Sequence, residues 1–211
     1  MAPIAPPSPT KAKILGSTVQ RVAEKTSTHT LHPQAMRTLN FLTGNAGKLA
    51  EAEALFGPLG FEVQRFEVGG VVPDVVEPQA EDLGSVALAK VAQGVEILAA
   101  EDRLSESLLV EDSGLFIDAL PAFPGVYSAH VLSSIGCEGI LRLLAEERTA
   151  YFMTVAALWT GEVIEVFVGR CEGRISTEIR GEGGFGYDPI FIPREGGDER
   201  TFAEMSLSEK E

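Results

Sequence analysis

Cysteine, histidine and positive charge are all scarce in this chain, and each scarcity removes a class of chemistry. Cys137 and Cys171 are the only cysteines and form no CxxC pair. A thiolate zinc site and a disulfide framework are therefore excluded. A single disulfide between them is left open, but a reduced, cytoplasmic setting suits the composition better. Histidine occurs at positions 29, 32 and 130. Any Ser-His-Asp or Cys-His device in the patterned region would have to run through His130, and no GxSxG elbow accompanies it. His130 is expected to be structural or solvent-facing. No unbroken apolar run approaches the roughly 18–20 residues that cross a bilayer, so no membrane partner is expected.

Lys and Arg total 17 against 31 Asp and Glu, a formal charge of −14. Residues 1–37 hold five basic residues against Glu24 alone, so the remainder carries −18. A body this acidic repels nucleic-acid polymers, which removes them as partners. A small anionic substrate remains compatible if a few lysines converge, particularly beside a divalent cation.

What is present fits one folded domain: 211 residues, 45% hydrophobic and 23% charged. Residues 1–37 are rich in Pro, Ser and Thr with little apolar periodicity, and are expected to be a disordered basic leader. Plain extension and a transit peptide are the alternatives, and the early prolines oppose the amphipathic helix of the second. From Thr38 the pattern tightens. TLNFLT predicts a buried strand, AGKLAEAEALFG a helix closed by Gly57-Pro58, and FEVQRFEV a second strand. A helix is expected through EDLGSVALAKVAQGVEILAAE, then strand, polar turn and strand through SLLVEDSGLFIDAL. Ser134–Glu147 predicts a further helix. Tyr151–Trp159 and Val163–Arg170 predict two strands joined at Thr160-Gly161. Mixed strands and helices without repeats indicate an α/β domain over 38–211. Ser206-Leu207-Ser208-Glu209 has the capping-box pattern that announces a terminal helix, or else a single frayed turn.

Three polar motifs interrupt this framework. Gly181–Gly186 matches GxGxxG, yet an extended apolar run follows it instead of a helix, so dinucleotide binding is not expected. Thr43-Gly44-Asn45-Ala46-Gly47-Lys48 lies between the first strand and the first helix. Backbone N–H groups at a helix start, with a nearby ammonium, favour a phosphate; a capped turn with a solvated lysine reads the same residues equally well. Glu111-Asp112-Ser113-Gly114 puts carboxylates at a strand end, where they can hold Mg²⁺, and Glu77 can complete that site. Taken alone, EDSG reads as a polar turn.

In order along the chain stand TGNAGK at 43–48, VVEPQAEDLGSVALAK ending at Lys90, EDSGL at 111–115, PGVYSA at 124–129, GGFGYDPIF at 183–191 and TFAEMSLSEK at 201–210. This ordered set resembles the inosine triphosphate pyrophosphatase family, the non-standard purine (XTP/dITP) nucleoside triphosphate pyrophosphatases, over everything from Thr38 onward. The resemblance implies a long mixed β-sheet flanked by helices, with two lobes around a substrate cleft, and a homodimer. It implies Mg²⁺-dependent cleavage of ITP, dITP and XTP to monophosphate and pyrophosphate, cleansing the nucleotide pool.

Carried over by position, Asp112 matches the catalytic carboxylate that holds metal and helps activate water, and Glu77 a second metal-linked acid. Thr43, Gly44, Asn45, Lys48, Lys90 and Ser113 fall where the family grips the triphosphate. Phe185 falls where a ring stacks on the purine, Gly186, Tyr187 and Asp188 continue that wall, and Lys210 matches a lysine of the substrate pocket. The chemistry of these residue types agrees, because an acidic protein must bind a polyanion through focused lysines, helix-end amides and a metal ion. Family members continue through a Ser-His-Arg element contacting the purine. The sequence stops at Glu211, before it, so phosphate and metal capacity are expected to persist while purine discrimination weakens. The alternatives are a nucleotide-binding protein without turnover and a Maf-type nucleotide pyrophosphatase. FGYDP and TFAEMS favour the inosine triphosphate group.

Overall fold

The computed structural model describes residues 37–195, 197–206 and 209–210. The leader lies outside the described residues except for Arg37, which opens the first strand. The helix expected at the C-terminal end also falls mostly outside them, although Glu209 Oε2 accepts from the Ser206 N–H at 2.9 Å and the Ser206 hydroxyl at 2.8 Å.

The elements in order are β1 (Arg37–Phe41), α1 (Ala46–Phe56), β2 (Phe61–Arg65), α2 (Leu83–Ala100), β3 (Leu108–Ile117), β4 (Leu120–Pro124), α3 (Ser128–Leu143), β5 (Thr149–Trp159), β6 (Ile164–Ile175) and β7 (Phe191–Pro193). Hydrogen bonding orders the strands β2-β1-β3-β5-β6-β7, with β4 paired to β3, in a mixed seven-stranded sheet. The described residues fall into two compact units, one holding 37–112 plus 154–168, the other 113–153 and 169 onward.

In the first unit β1 lies between β2 and β3 and is parallel to both. The crossover from β1 to β2 runs through α1, and that from β2 to β3, on the other side of β1, through α2. Right-handed crossovers in opposite directions place their helices on opposite faces of the sheet. The side chains agree. Leu39, Phe41, Phe61, Val63 and Leu109 cluster with Ala52 and Phe56 of α1. On the other face Leu42 and Leu108 lie so close to Gly94 of α2 that a Cβ there would sit 3.2 and 2.4 Å from their methyl carbons. Odd-numbered positions at the start of β3 thus face α1 and even-numbered ones face α2. Asn40, buried on the α2 side, accepts from Gln64 Nε2 at 2.9 Å and donates to Glu106 Oε2 at 2.9 Å, tying β1 to both neighbouring segments.

By length and composition α2 is apolar enough to cross a membrane, with mean hydropathy 1.4, although it contains no long unbroken apolar run. Its buried residues are Leu83, Val86, Ala87, Val91, Gly94 and Leu98, the stripe of a core helix, and Lys90 and Glu96 interrupt it.

The second unit packs Leu115, Ile117, Val131, Ile140, Phe152, Ile175, Ile190, Phe191 and Phe202 into its own core. Phe152 and Phe191 meet edge to face at 4.6 Å, and Phe191 lies 5.2 Å from Phe202. Helix α3 begins six residues before the expected Ser134 and ends at Leu143. Gly136 interrupts it at φ 64°, ψ −173°, and the Ser133 and Ser134 hydroxyls both donate to the His130 carbonyl, which blurs the helical signal there. His130 is exposed. No helix follows the GxGxxG match; a short 3₁₀ turn at Asp188–Ile190 leads straight into β7.

The main correction concerns EDSG. It is no turn: β3 runs unbroken from Leu108 to Ile117. Gly114 is required by a close approach, since a Cβ there would sit 2.4 Å from the Gly125 carbonyl oxygen. Replacing Gly114 with Ala should destabilise the protein by at least about 2 kcal/mol, because backbone yields less readily than a side chain. Gly57→Ala, where φ is −54° and a Cβ meets open space, should be neutral or stabilising by about 0.5 kcal/mol. Urea unfolding of both variants checks the contrast, and equal stabilities would refute it.

Candidate active site

The loop leaving β1 is built on its own side chains. The Thr43 hydroxyl accepts from the Asn45 N–H at 3.1 Å. Asn45 caps α1, its Oδ1 accepting from the N–H groups of Gly47 and Lys48 at 2.8 and 3.2 Å. Gly44 faces open space. The capped-turn reading of TGNAGK is therefore present, but its lysine is not solvated. Lys48 lies 2.7 Å from Glu111 Oε2, with the two side chains only 18% and 5% exposed. Burial lowers the Lys48 pKa, yet the Glu111 charge and hydrogen bond, helped by Asp112 and Glu77, outweigh it and hold the ammonium above its ordinary value.

Asp112, one position further along β3, turns to the α2 face. There Lys90 Nζ stands 3.5 Å from Asp112 Oδ1 and 2.7 Å from Glu77 Oε1. Lys90 is 12% exposed, Glu77 63%. Burial raises the Asp112 pKa, Lys48 and Lys90 oppose that, and Glu111 and Glu77 reinforce it; the balance lies above an ordinary aspartate. The cluster thus holds two ammonium groups and three carboxylates, net −1, just past the carboxyl end of β1 and beside the middle of β3. That is where crossover direction reverses, and open α/β sheets place ligands at such points.

A second set of expected residues gathers in the other unit. Asp188 is 4% exposed and accepts from Lys210 Nζ at 2.9 Å and from the Phe185 N–H at 3.2 Å. Gly184, at φ 72°, leaves room for this pair, since a Cβ there would lie 2.1 Å from Asp188 Oδ2 and 2.8 Å from Lys210 Nζ. Phe185 is half-buried. The Gly186 carbonyl accepts from the Cys137 thiol at 3.7 Å. Tyr187 sits in the apolar core, and its hydroxyl donates to the Ser128 carbonyl at 2.9 Å. Burial pushes its phenol far above the ordinary value, so it remains a neutral donor. The Ser128 hydroxyl in turn donates to the Gly125 carbonyl at 2.7 Å and accepts from the Leu115 N–H at 2.8 Å. Ser113 is half-buried on β3.

Sequence reasoning thus brings Lys48, Glu77, Lys90 and Asp112 into one cluster and Phe185, Asp188 and Lys210 into another. It names Glu111 only within EDSG, without a role of its own, and overlooks Gln93 and Ser128. Glu111 could have been found from strand alternation, which sends adjacent acids to opposite faces. Gln93 follows Lys90 by almost one helical turn, a weaker signal.

Comparison with known proteins adds an independent line. A family model described as the Ham1 family matches residues 39–211. The chain is 48% identical over 174 residues to the dITP/XTP pyrophosphatase of Thermococcus kodakarensis, covering 82% of this chain and 87% of that protein. It is 44% identical over 172 residues to the dITP/XTP pyrophosphatase of Pyrococcus horikoshii, covering 81% and 86%. Among solved structures, that of a HAM1 protein from Coxiella burnetii superposes with a TM-score of 0.67 at 29% identity, covering 83% of this chain and 90% of that one.

Because Lys90 lowers the Asp112 pKa, Lys90→Met should move the Asp112 titration midpoint to still higher pH. Carboxyl ¹³C NMR of metal-free protein reads this directly. An unchanged midpoint or a downward shift would show that the Lys90 charge does not hold the Asp112 pKa down.

Proposed function

The chain belongs to the Ham1 family, and we propose that it hydrolyses dITP, ITP and XTP to the nucleoside monophosphate and pyrophosphate, acting on the nucleotide pool. The observation that carries this reading is the group formed by Glu77, Lys90, Asp112, Glu111 and Lys48 just past the end of β1. Its net charge of −1 repels a triphosphate, so a divalent cation is needed before the lysines can act on one.

The donors suit magnesium. Glu77 and Asp112 offer hard carboxylate oxygens that both reach the same ammonium. Magnesium keeps several waters and is held through one or two carboxylates and substrate phosphates, which matches this pair. Asp112 and Glu77 would hold it, and it would supply charge neutralisation and polarisation at the phosphoryl oxygens.

The remaining work falls to side chains. The carboxylate of Asp112 orients a water and takes its proton as the oxygen attacks the α-phosphorus, the bond to the bridging oxygen breaks, and pyrophosphate leaves. Lys48 and the amides at the start of α1 face charge on the phosphates, and Lys90 shifts from carboxylate to phosphate. Phe185 supplies a flat face for the purine, with Asp188 and Lys210 offering an acceptor and a donor to its edge. A homodimer and a cytoplasmic setting belong to the same proposal.

A nucleotide panel with Mg²⁺, scored for pyrophosphate against orthophosphate, tests this. Pyrophosphate should be released from dITP, ITP and XTP in preference to ATP and GTP. Asp112→Asn should lower kcat by at least ~10²-fold while nucleotide binding persists. Orthophosphate release, or binding without any hydrolysis by the wild-type chain, would overturn the assignment.

A further inference from the structure

Glu77 lies in residues 72–80, none of which belongs to a helix or strand. Its neighbour Val76 has a side chain 74% exposed, so apolar packing does not fix the segment at that point. A single side chain of α2 does. Gln93 Oε1 accepts from the Val76 N–H at 2.8 Å, while Gln93 Nε2 donates to the Val76 carbonyl at 2.9 Å. The same Nε2 donates to the Ala89 carbonyl at 3.0 Å, which steadies the amide on its own helix. Gln93 therefore satisfies both polar groups of one loop residue, as a partner strand would. It does so three positions beyond Lys90, on the helix whose ammonium meets Glu77.

We infer that Gln93 is a positioning residue for the reaction: its amide clamps Val76 to α2 and thereby delivers the Glu77 carboxylate to the metal-binding end of the cluster. The inference rests on the proposed role of Glu77 as the second metal-holding acid. Lys90 alone does not secure the segment, because its ion pair is with a largely exposed carboxylate and exposed pairs hold weakly. The two bonds from Gln93 to the Val76 backbone set the chain direction itself. Gln93 touches neither substrate nor reacting atoms in this reading and acts only through Glu77.

The test pairs Gln93→Met, which keeps length without hydrogen-bonding capacity, with Glu77→Gln and the double variant, using Gln93→Glu as a second probe should the methionine variant misfold. In metal-free protein the Val76 amide should exchange at least about tenfold faster in Gln93→Met, as expected when the bonds closing a local opening are lost. In assays the Mg²⁺ concentration for half-maximal activity should rise several-fold, with kcat at saturating Mg²⁺ changing less. In the Glu77→Gln background the Gln93 substitution should add no further shift, because both act on one carboxylate. Unchanged Val76 exchange, or additive shifts in the double variant, would overturn the clamp while leaving the role of Glu77 standing. An unchanged Mg²⁺ requirement in Glu77→Gln would instead overturn the metal role, and the positioning role with it. Faster Val76 exchange in Gln93→Met would then mark a purely structural clamp.

Discussion

Two consecutive acids near the middle of one strand set the constraint on which the first unit depends. Alternation sends Glu111 to the α1 face and Asp112 to the α2 face, and each meets a lysine from the helix on its own side. Only a strand flanked by helices on both faces can do this. The parallel β2-β1-β3 arrangement, whose crossovers run in opposite directions, supplies such a strand and brings its middle beside the start of α1. Site and topology are therefore one feature: the reversal that opens space at the end of β1 also brings Lys48 and Lys90 to neighbouring carboxylates.

Such a cluster is poor material for stability. Removing largely buried ions from water is expensive, and a well-packed apolar replacement would serve the fold as well or better. Its design makes sense as poised charge. With three carboxylates against two lysines, the group is one positive charge short of neutrality. A divalent cation would reverse its sign and release ammonium groups for phosphate oxygens. The raised Asp112 pKa has the same origin, since burial and crowding by like charge outweigh two attractive neighbours.

How much of this the sequence discloses depends on the range of each signal. The strand–helix–strand opening was legible because apolar spacing and the Asn45 cap are local. The helix at Ser128 was misplaced because Ser133, Ser134 and the Gly136 kink mask its periodicity. EDSG read as a turn because Gly beside acids is turn composition. The reason for Gly114 is the Gly125 carbonyl eleven residues away, and nothing local announces that approach. The same limit hid Gln93, whose partner is the backbone of Val76 and carries no side-chain signature. Lys48, Asp112 and Lys90 emerged only as members of an ordered set of motifs, since each alone is an unremarkable surface charge.

The two clusters hold their groups by different means. Asp188 and Lys210 are nearly buried, bonded to each other, and braced by Gly184 and the Phe185 amide next to an aromatic core. Glu77 is largely exposed and held through backbone hydrogen bonds at its neighbour. A rigid pair suits discrimination, because buried donors and acceptors penalise a base edge that fails to match them. A largely exposed carboxylate on a segment clamped at its neighbour suits the proposed exchange of partner from lysine to metal. Burial thus accompanies the groups assigned to recognition, and exposure the carboxylate whose partner is proposed to change.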